Sequence, residues 1–544
     1  MIKLVIIGAL FFFVQLIGQM LPFSSKKILN MIIGTILSLS IMCIGYIFLQ
    51  NYIAISISLF LKYIGIPTFT LAFLIGLLSK AAKKQDTKEE KGYSAFKLYT
   101  GKKNVSFYDP FNNFLIYGGQ GAGKTKSLGK PLLREYLINH FAGFIYDLKD
   151  DDFTKSAYYL TTQIDDYPYP FYYANFQDME RTYRFNPFKK SSIPDEELVA
   201  QYAADLLDAY LPKGTNKSEF YLAGLGILQG VAIRFYKDFP EYCTIPHILN
   251  YVLHNSTNDV QEFLEVDSQS KALASGYLSA KGSPKTQASY LSSLTTYIGA
   301  LASNKKMCWV LSGDDFDFNL IDPEDPKLFA ISNTYKLQSI VSPVISLILK
   351  ISSRRFDNTN KVNFVYCLDE ATTFKIDDFE NMPSVLREYK VSFMFLTQSA
   401  SKIIMRYSKE ALSSIEANFV NTFYGRTKDS VALDNYVKMF SKIEKRKESF
   451  SSGSSNSGSS RGNSYRYENE LKFEREHFTN LRPGEFVING NANITEEIIR
   501  FKQFEQPDDL ELPKVRVVTE KDLLDNYELI ISTVKSLVAI KESV

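Results

Sequence analysis

Eight consecutive residues constrain this chain more than any others: Gly118, Gly119, Gln120, Gly121, Ala122, Gly123, Lys124 and Thr125, the pattern GxxxxGK[ST]. They follow a short apolar run, Phe114 to Tyr117, and precede a helix-like stretch from Leu128 to Leu137. Strand, glycine-rich turn and helix in that order predict a nucleotide-binding α/β sheet. Glycines let the backbone wrap a phosphate with its N–H groups pointing inward, and the following helix adds its positive N-terminus. Lys124 is expected to reach the β- and γ-phosphates, Thr125 to give a hydroxyl to Mg²⁺, and Lys126 to complete the binding segment. The expected ligand is a nucleoside triphosphate, ATP, with Mg²⁺.

Hydrolysis needs a second acidic strand end. Val362 to Leu368 has the pattern of a buried strand and stops at Asp369-Glu370. Asp369 is placed to hold Mg²⁺, through water, and Glu370 to orient and deprotonate the attacking water. A third strand, Val391 to Thr397, ends at Gln398, whose neutral amide would face the γ-phosphate and sense its presence. Arg387, in the helical stretch Ser384 to Tyr389, fits two roles on its residues alone. It reads equally as a solvated helix-face charge or as a group aimed at a neighbouring subunit's nucleotide.

The interval between these motifs is long. Strand candidates Phe144 to Tyr146, ending at Asp147-Leu148-Lys149, and Phe171 to Ala174 belong to the sheet, and the chain returns to a strand at Leu328 to Ile331. Between them the periodicity is helical, as in Asp195 to Tyr210, Glu219 to Phe235, Ile245 to Val252 and Gln287 to Ala302. Both acidic and glycine-rich motifs must share one sheet, so residues 191–310 read as an all-α domain inserted into a RecA-like nucleotide-binding domain formed by 111–190 and 311–503.

Composition excludes several classes. The 544 residues carry 62 Lys+Arg against 60 Asp+Glu, a net charge of +2, so a general polybasic binder is ruled out. Four scattered cysteines and four scattered histidines support neither a disulfide framework nor a metal cluster. Charge is nearly absent from residues 1–79, where apolar runs at Ile2 to Leu21, Ile28 to Leu49 and about Leu61 to Leu78 approach the ~20 residues of a membrane-crossing helix. The first is too long, and lacks the small-residue cleavage site, for a signal peptide. Lys26 and Lys27 lie in the first loop, and Lys80, Lys83, Lys84 and Lys88 follow the last run, which puts everything beyond Lys80 in the cytoplasm. The expected architecture is therefore N-terminal transmembrane helices (1–79, about three), a charged linker (80–110) and the α/β body.

The ordered set of motifs resembles the type IV coupling proteins of conjugative and related type IV secretion systems. It comprises the apolar N-terminus, GGQGAGKT, YDLKDD, RFNPF before the helical insert, CLDEATTF, LREYK, FLTQS, FYGRTKD and LRPGEFVING, and it covers about residues 1 to 503. The resemblance implies a homohexameric DNA-pumping ATPase in the bacterial inner membrane, working with DNA (single-stranded and relaxase-bound), a relaxase or relaxosome, and inner-membrane components of the channel. It also implies Arg387 as an arginine finger in trans, Gln398 as the phosphate sensor, and Asp147 with Lys149 as a supporting pair. Two departures stand out: three spans where two are common, and Asp150 where a glycine often follows the Asp-x-Lys segment.

Two segments remain. Residues 445–466, rich in Ser and Gly with Lys445, Arg446, Lys447, Arg461 and Arg466, read as a flexible loop, passive or touching DNA phosphates. The tail, 504–544, contains an amphipathic helix opening at Thr519. Competing functions are a double-stranded chromosome translocase, for which no winged-helix reader is legible, a coupling ATPase for protein effectors, and a non-catalytic receptor. An ABC subunit would need LSGGQ before Asp369; only Leu311-Ser312-Gly313-Asp314 approaches it.

Overall fold

Among the described residues nine strands form one sheet, in the order Ile498–Arg500, Glu485–Asn489, Asn421–Gly425, Phe114–Tyr117, Val391–Thr397, Phe364–Asp369, Ala142–Asp147, Leu328–Ser332 and Phe171–Asn175. The computed structural model describes residues 40, 43, 44, 46, 47, 50, 56–71, 94–149, 151–211, 216–376, 378–455 and 458–539, and divides into Met1–Ser94 and Ala95–Val544. In the first unit, residues 57–71 are helical, with wider π-type turns at Leu61–Gly65. Among the described residues no helix is long and apolar enough to cross a membrane. The first expected span lies outside the described residues, and the second and third are described only in part.

In the second unit, β1 (Phe96–Tyr99) and β2 (Asn104–Phe107) make a small hairpin. The sheet strands are β3 (Phe114–Tyr117), β4 (Ala142–Asp147), β5 (Phe171–Asn175), β6 (Leu328–Ser332), β7 (Phe364–Asp369), β8 (Val391–Thr397) and β9 (Asn421–Gly425). All seven run parallel. Most are buried along their whole length, which is why they read as continuous apolar runs rather than alternating ones. A long hairpin, β10 (Lys442–Ser455) with β11 (Gly458–Leu471), follows, and then β12 (Glu485–Asn489) and β13 (Ile498–Arg500) extend the sheet antiparallel beyond β9. Because the strands are parallel, their C-terminal ends share one edge, and ligands of such sheets bind there.

Helix α1 (Lys130–Ile138) continues from a turn at Lys124–Gly129, and α2 (Asp152–Gln163) joins β4 to β5. Among the described residues between β5 and β6 every regular element is helical; they include α3 (Glu196–Asp208), α4 (Glu219–Asp238), α5 (Ile245–His254), α6 (Pro284–Ala302) and α7 (Lys305–Leu311). Helix α8 (Gln338–Ser353) returns the chain to β7. These helices and the sheet share one apolar cluster, running from Phe144 and Phe329 to Ile227 and Leu249.

The segment 445–466 differs from its sequence reading as a flexible loop. It forms most of the β10–β11 ribbon, outside only 456–457, which are not described. The residues flanking the Ser/Gly tract carry the pairing: Lys445 meets Glu470 (3.0 Å), Lys447 meets Glu468 (2.8 Å) and Glu470 (2.9 Å), and the Arg446 guanidinium lies 3.7 Å from the Tyr465 ring centre. Composition alone missed these cross-strand pairs. They also neutralise Lys445 and Lys447, which weakens the reading of those lysines as phosphate contacts.

The C-terminal helix α9 (Glu520–Ala539) packs on α5 and α7 through Leu523, Ile530, Val534 and Leu537. Thr519 starts it: its hydroxyl accepts from Asp522 N–H (3.3 Å), while Asp522 accepts from Thr519 N–H (2.7 Å). Each buried aliphatic side chain contributes about 1.5–3 kcal/mol. Deleting 520–544 is therefore expected to lower the melting temperature by several degrees or more in differential scanning fluorimetry.

Candidate nucleotide site

The loop after β3 takes its shape from left-handed glycines. Gly121 (φ 71) and Gly123 (φ 91) adopt backbone angles that side chains disfavour. A Cβ on Gly123 would also stand 2.8 Å from the amide nitrogen of Gly484. The loop is pinned on both flanks: Gly118 N–H donates to Thr397 O (3.2 Å) from β8, and Gly119 N–H to Arg426 O (2.7 Å) after β9. Lys124 is buried and folds back so that Nζ donates to the Gly118 carbonyl at 2.6 Å. Burial pushes its pKa down, offset in part by Glu370 and Asp369.

Strand β8 separates β3 from β7, with Tyr117 level with Thr397 and Asp369 with Leu396. The three strand ends therefore converge. Asp369 is 1% exposed, and neither carboxylate oxygen has a hydrogen bond. What faces it is the Lys149 ammonium, 3.4 Å from Oδ2, which also donates to Thr125 Oγ1 at 3.5 Å. A cationic group thus sits between the Thr125 hydroxyl and a buried carboxylate without hydrogen bonds. That donor set, one hydroxyl and one hard carboxylate oxygen, suits Mg²⁺. Asp369 and Glu370 hold the Lys149 pKa above its ordinary value against the opposing effect of burial.

Glu370 follows at φ 57, a left-handed angle costing about 1–3 kcal/mol for a non-glycine residue. Its N–H donates to Leu396 O (2.9 Å), and the Thr372 hydroxyl donates to its Oε1 (3.5 Å). The side chain is 5% exposed, and burial raises its pKa, with Lys124 and Lys149 pulling the other way. The strained backbone turns this carboxylate toward the end of β8 rather than to solvent.

Asp147 and Lys149 part company in the structure. Lys149 belongs to the site, whereas Asp147 is fully buried and organises the turn into α2, accepting from the N–H groups of Lys149 (2.9 Å), Phe153 (2.8 Å) and Thr154 (2.9 Å). Burial, reinforced by Asp369, pushes its pKa up to about 6. The left-handed position in this segment falls at Asp151 (φ 67).

Gln398 is exposed at the C-terminal end of β8, level with the phosphate loop. Arg387 is not near the loop of its own chain. It ends the helix Met382–Arg387 before β8 and pairs with Asp109 (3.1 Å), which precedes β3, so it lies at the opposite edge of the sheet. Two contributors escaped the sequence reading. Arg426 places Nη2 3.5 Å from where a Gly121 Cβ would stand, and Gly484 N–H donates to Ala122 O (2.9 Å). Both lie in quoted motifs, FYGRTKD and LRPGEFVING, but only the folded sheet order brings them to the loop.

Comparison with known proteins places this geometry. Residues 363–481 match the family described as the TraM recognition site of TraD and TraG. No curated protein sequence matches the chain. Among solved structures, the unbound conjugative coupling protein TrwB lacking its first 70 residues matches with a TM-score of 0.58 at 16% identity, over 78% of this chain and 93% of that one. TrwB with ADP and Mg²⁺ matches at a TM-score of 0.55 and 15% identity, covering 74% and 87%, and TrwB with ADPNP at 0.53 and 16%, covering 73% and 88%. The second unit therefore has the fold of a conjugative coupling protein, and its segment 363–481 carries the matching family signature.

Proposed function

We propose that this chain is a type IV coupling ATPase, anchored in the bacterial inner membrane by its apolar N-terminus, that moves relaxase-bound single-stranded DNA toward a secretion channel. One observation carries the hydrolytic part: a buried, hydrogen-bond-free Asp369 faces a cation and the Thr125 hydroxyl at the mouth of a GxxxxGKT loop. The similarity to TrwB, solved with ADP and Mg²⁺ and with ADPNP, supports ATP and Mg²⁺ as the ligands. The match at 363–481 supports a protein partner of the DNA-processing complex at that segment.

Bound Mg²⁺ would be held by Thr125 and, through water, by Asp369, where it neutralises phosphate charge. The chain's own residues do the rest. Lys124 swings from the Gly118 carbonyl to the β- and γ-phosphates, and the loop N–H groups hold the phosphate oxygens. Glu370 takes the proton of the attacking water, its carboxylate positioned by the Thr372 hydroxyl. Gln398 turns its amide to the γ-phosphate and transmits its loss along β8. Arg387, remote from its own loop, meets the nucleotide of a neighbour, which makes a homohexamer the working form.

A base acts only when ionised. With the Glu370 pKa raised, its active fraction is lost as pH falls through a value above the usual carboxylate range. We expect kcat to rise tenfold per pH unit on the acidic limb and to level off nearer neutrality, as read from steady-state rates between pH 5 and 8.5. A limb that levels off within the ordinary carboxylate range would exclude Glu370 as this base.

The cargo is tested by the ATPase rate of the detergent-solubilised full chain with single-stranded DNA, with duplex, and with neither. Stimulation by single strands that is absent in Lys124→Ala is the expected result. Stimulation by duplex alone would replace the reading with a double-stranded translocase, and indifference to DNA in a confirmed oligomer with a protein-effector ATPase.

A further inference from the structure

Directly after Glu370 the chain makes a single 3₁₀ turn, Ala371–Thr373. Its carbonyls receive two donors from one side chain: Arg406 Nε donates to Thr372 O (2.9 Å) and Arg406 Nη2 to Thr373 O (3.1 Å). We propose that Arg406 is the positioning residue for the hydrolytic base, acting on the Glu370 carboxylate through the Thr372–Thr373 turn. The inference rests on the reading of Glu370 as that base.

The contacts form an unbroken chain. Thr373 N–H donates to Glu370 O (3.1 Å), and the Thr372 hydroxyl donates to Glu370 Oε1 (3.5 Å). The carbonyl and the carboxylate of Glu370 are therefore both bonded to residues whose own carbonyls Arg406 grips. Gln338, which opens α8, adds a donor to Thr373 O (3.1 Å), and the Tyr146 hydroxyl from β4 bonds the Thr373 hydroxyl (2.9 Å). A left-handed Glu370 with φ 57 keeps its angle only while its surroundings impose it. A planar guanidinium suits that task, because its N–H groups form a rigid fork that can meet two neighbouring acceptors at once. Bonds from a charged donor are also stronger than those between neutral groups.

The position of Arg406 in the chain gives the clamp a second meaning. It ends the helix Ala400–Arg406, seven residues long, which begins just past Gln398. Ala400 and Ile403 are fully buried and seat that helix. Tyr407 makes a further tie, its hydroxyl accepting from Ile376 N–H (3.2 Å). The segment after the β8 strand end is thus fastened at two places to the segment after the β7 strand end. None of these bonds involves Lys124, Thr125, Lys149 or Asp369. Releasing the clamp should therefore slow hydrolysis and leave nucleotide binding alone.

The test is a double-mutant cycle in the detergent-solubilised full chain. Arg406→Ala is made with and without Glu370→Gln, and read by single-turnover phosphate release and by calorimetric titration of ADP with Mg²⁺. With Glu370 present, Arg406→Ala is expected to lower the hydrolysis rate about tenfold to a hundredfold, the cost of a misplaced catalytic group. With Gln at 370 the further loss should stay below about twofold, since a positioning group has no effect once its target is gone. ADP affinity should remain within about twofold of wild type in every variant. Arg406→Lys, which keeps the charge but not the fork, should lose less than Arg406→Ala, and carries the same cycle if Arg406→Ala does not fold. An equal loss with and without Glu370 would make Arg406 a structural group and overturn the proposal. A parallel fall in ADP affinity, or a rate unchanged with Glu370 present, would overturn it too. The premise is read separately: if Glu370→Gln alone hydrolyses ATP as fast as wild type, the base assignment fails and takes this inference with it.

Discussion

Glu370→Gln is expected to lower kcat for ATP hydrolysis by about 10²–10⁴-fold, the contribution typical of a positioned general base. The KM should change little, because the amide is close in size to the carboxylate, whose proposed contact is the attacking water rather than the phosphates. The structure gives two reasons for an effect this large. The side chain is 5% exposed, so bulk water cannot readily substitute as base, and a strained φ of 57° orients it. Strain of this kind persists only where the surroundings over-determine it, here through hydrogen bonds with Leu396 O and the Thr372 hydroxyl. Single-turnover phosphate release separates the chemical step from product release. The variant should also retain ATP, making it a stable nucleotide-bound form.

Asp369→Asn should produce opposite effects on stability and activity. A buried carboxylate with no hydrogen bond costs the free chain a desolvation penalty, and Lys149, half exposed at 3.4 Å, repays it only in part. Removing the charge is expected to raise the nucleotide-free melting temperature by an amount equivalent to about 1–3 kcal/mol. At the same time Mg²⁺-dependent hydrolysis should fall by at least 10²-fold, since Asp369 is the buried carboxylate available to the ion at that strand end. A variant that is destabilised without nucleotide would show that Asp369 is structural. Residues retained at a cost to stability are expected at functional sites.

The sequence carried the sheet well because its strands are buried and continuous. Phe144 to Tyr146 and Phe171 to Ala174 are strands, and Glu219 to Phe235 and Ile245 to Val252 lie within helices, because apolar period and length separate the two cases. The loop holding Lys124 and Thr125 and the pair Asp369-Glu370 stand out in the sequence because each follows a buried apolar strand. The partners of that site were not. Lys149 and Asp147 are two residues apart yet divide into a site residue and a turn organiser, because Asp147 is the last residue of β4 while Lys149 lies in the turn beyond it. Arg426 and Gly484 reach the phosphate loop only because β9 lies beside β3 and β12 beside β9, and strand order is a property of the whole sheet. The reading of 445–466 as a loop rests on its Ser/Gly composition, whereas the cross-strand contacts of Lys447 with Glu468 and of Arg446 with Tyr465 come from the charged and aromatic residues flanking the tract.

Hydrolysis at the loop 118–125 is tested by phosphate release from ATP by the purified 544-residue chain, wild type against Lys124→Ala, with Mg²⁺ and with the metal chelated. Magnesium-dependent release in the wild type, abolished by Lys124→Ala, is the predicted result. Equal release from both proteins, or release from wild type that survives chelation, would contradict the assignment of the loop at 118–125 as the hydrolytic site.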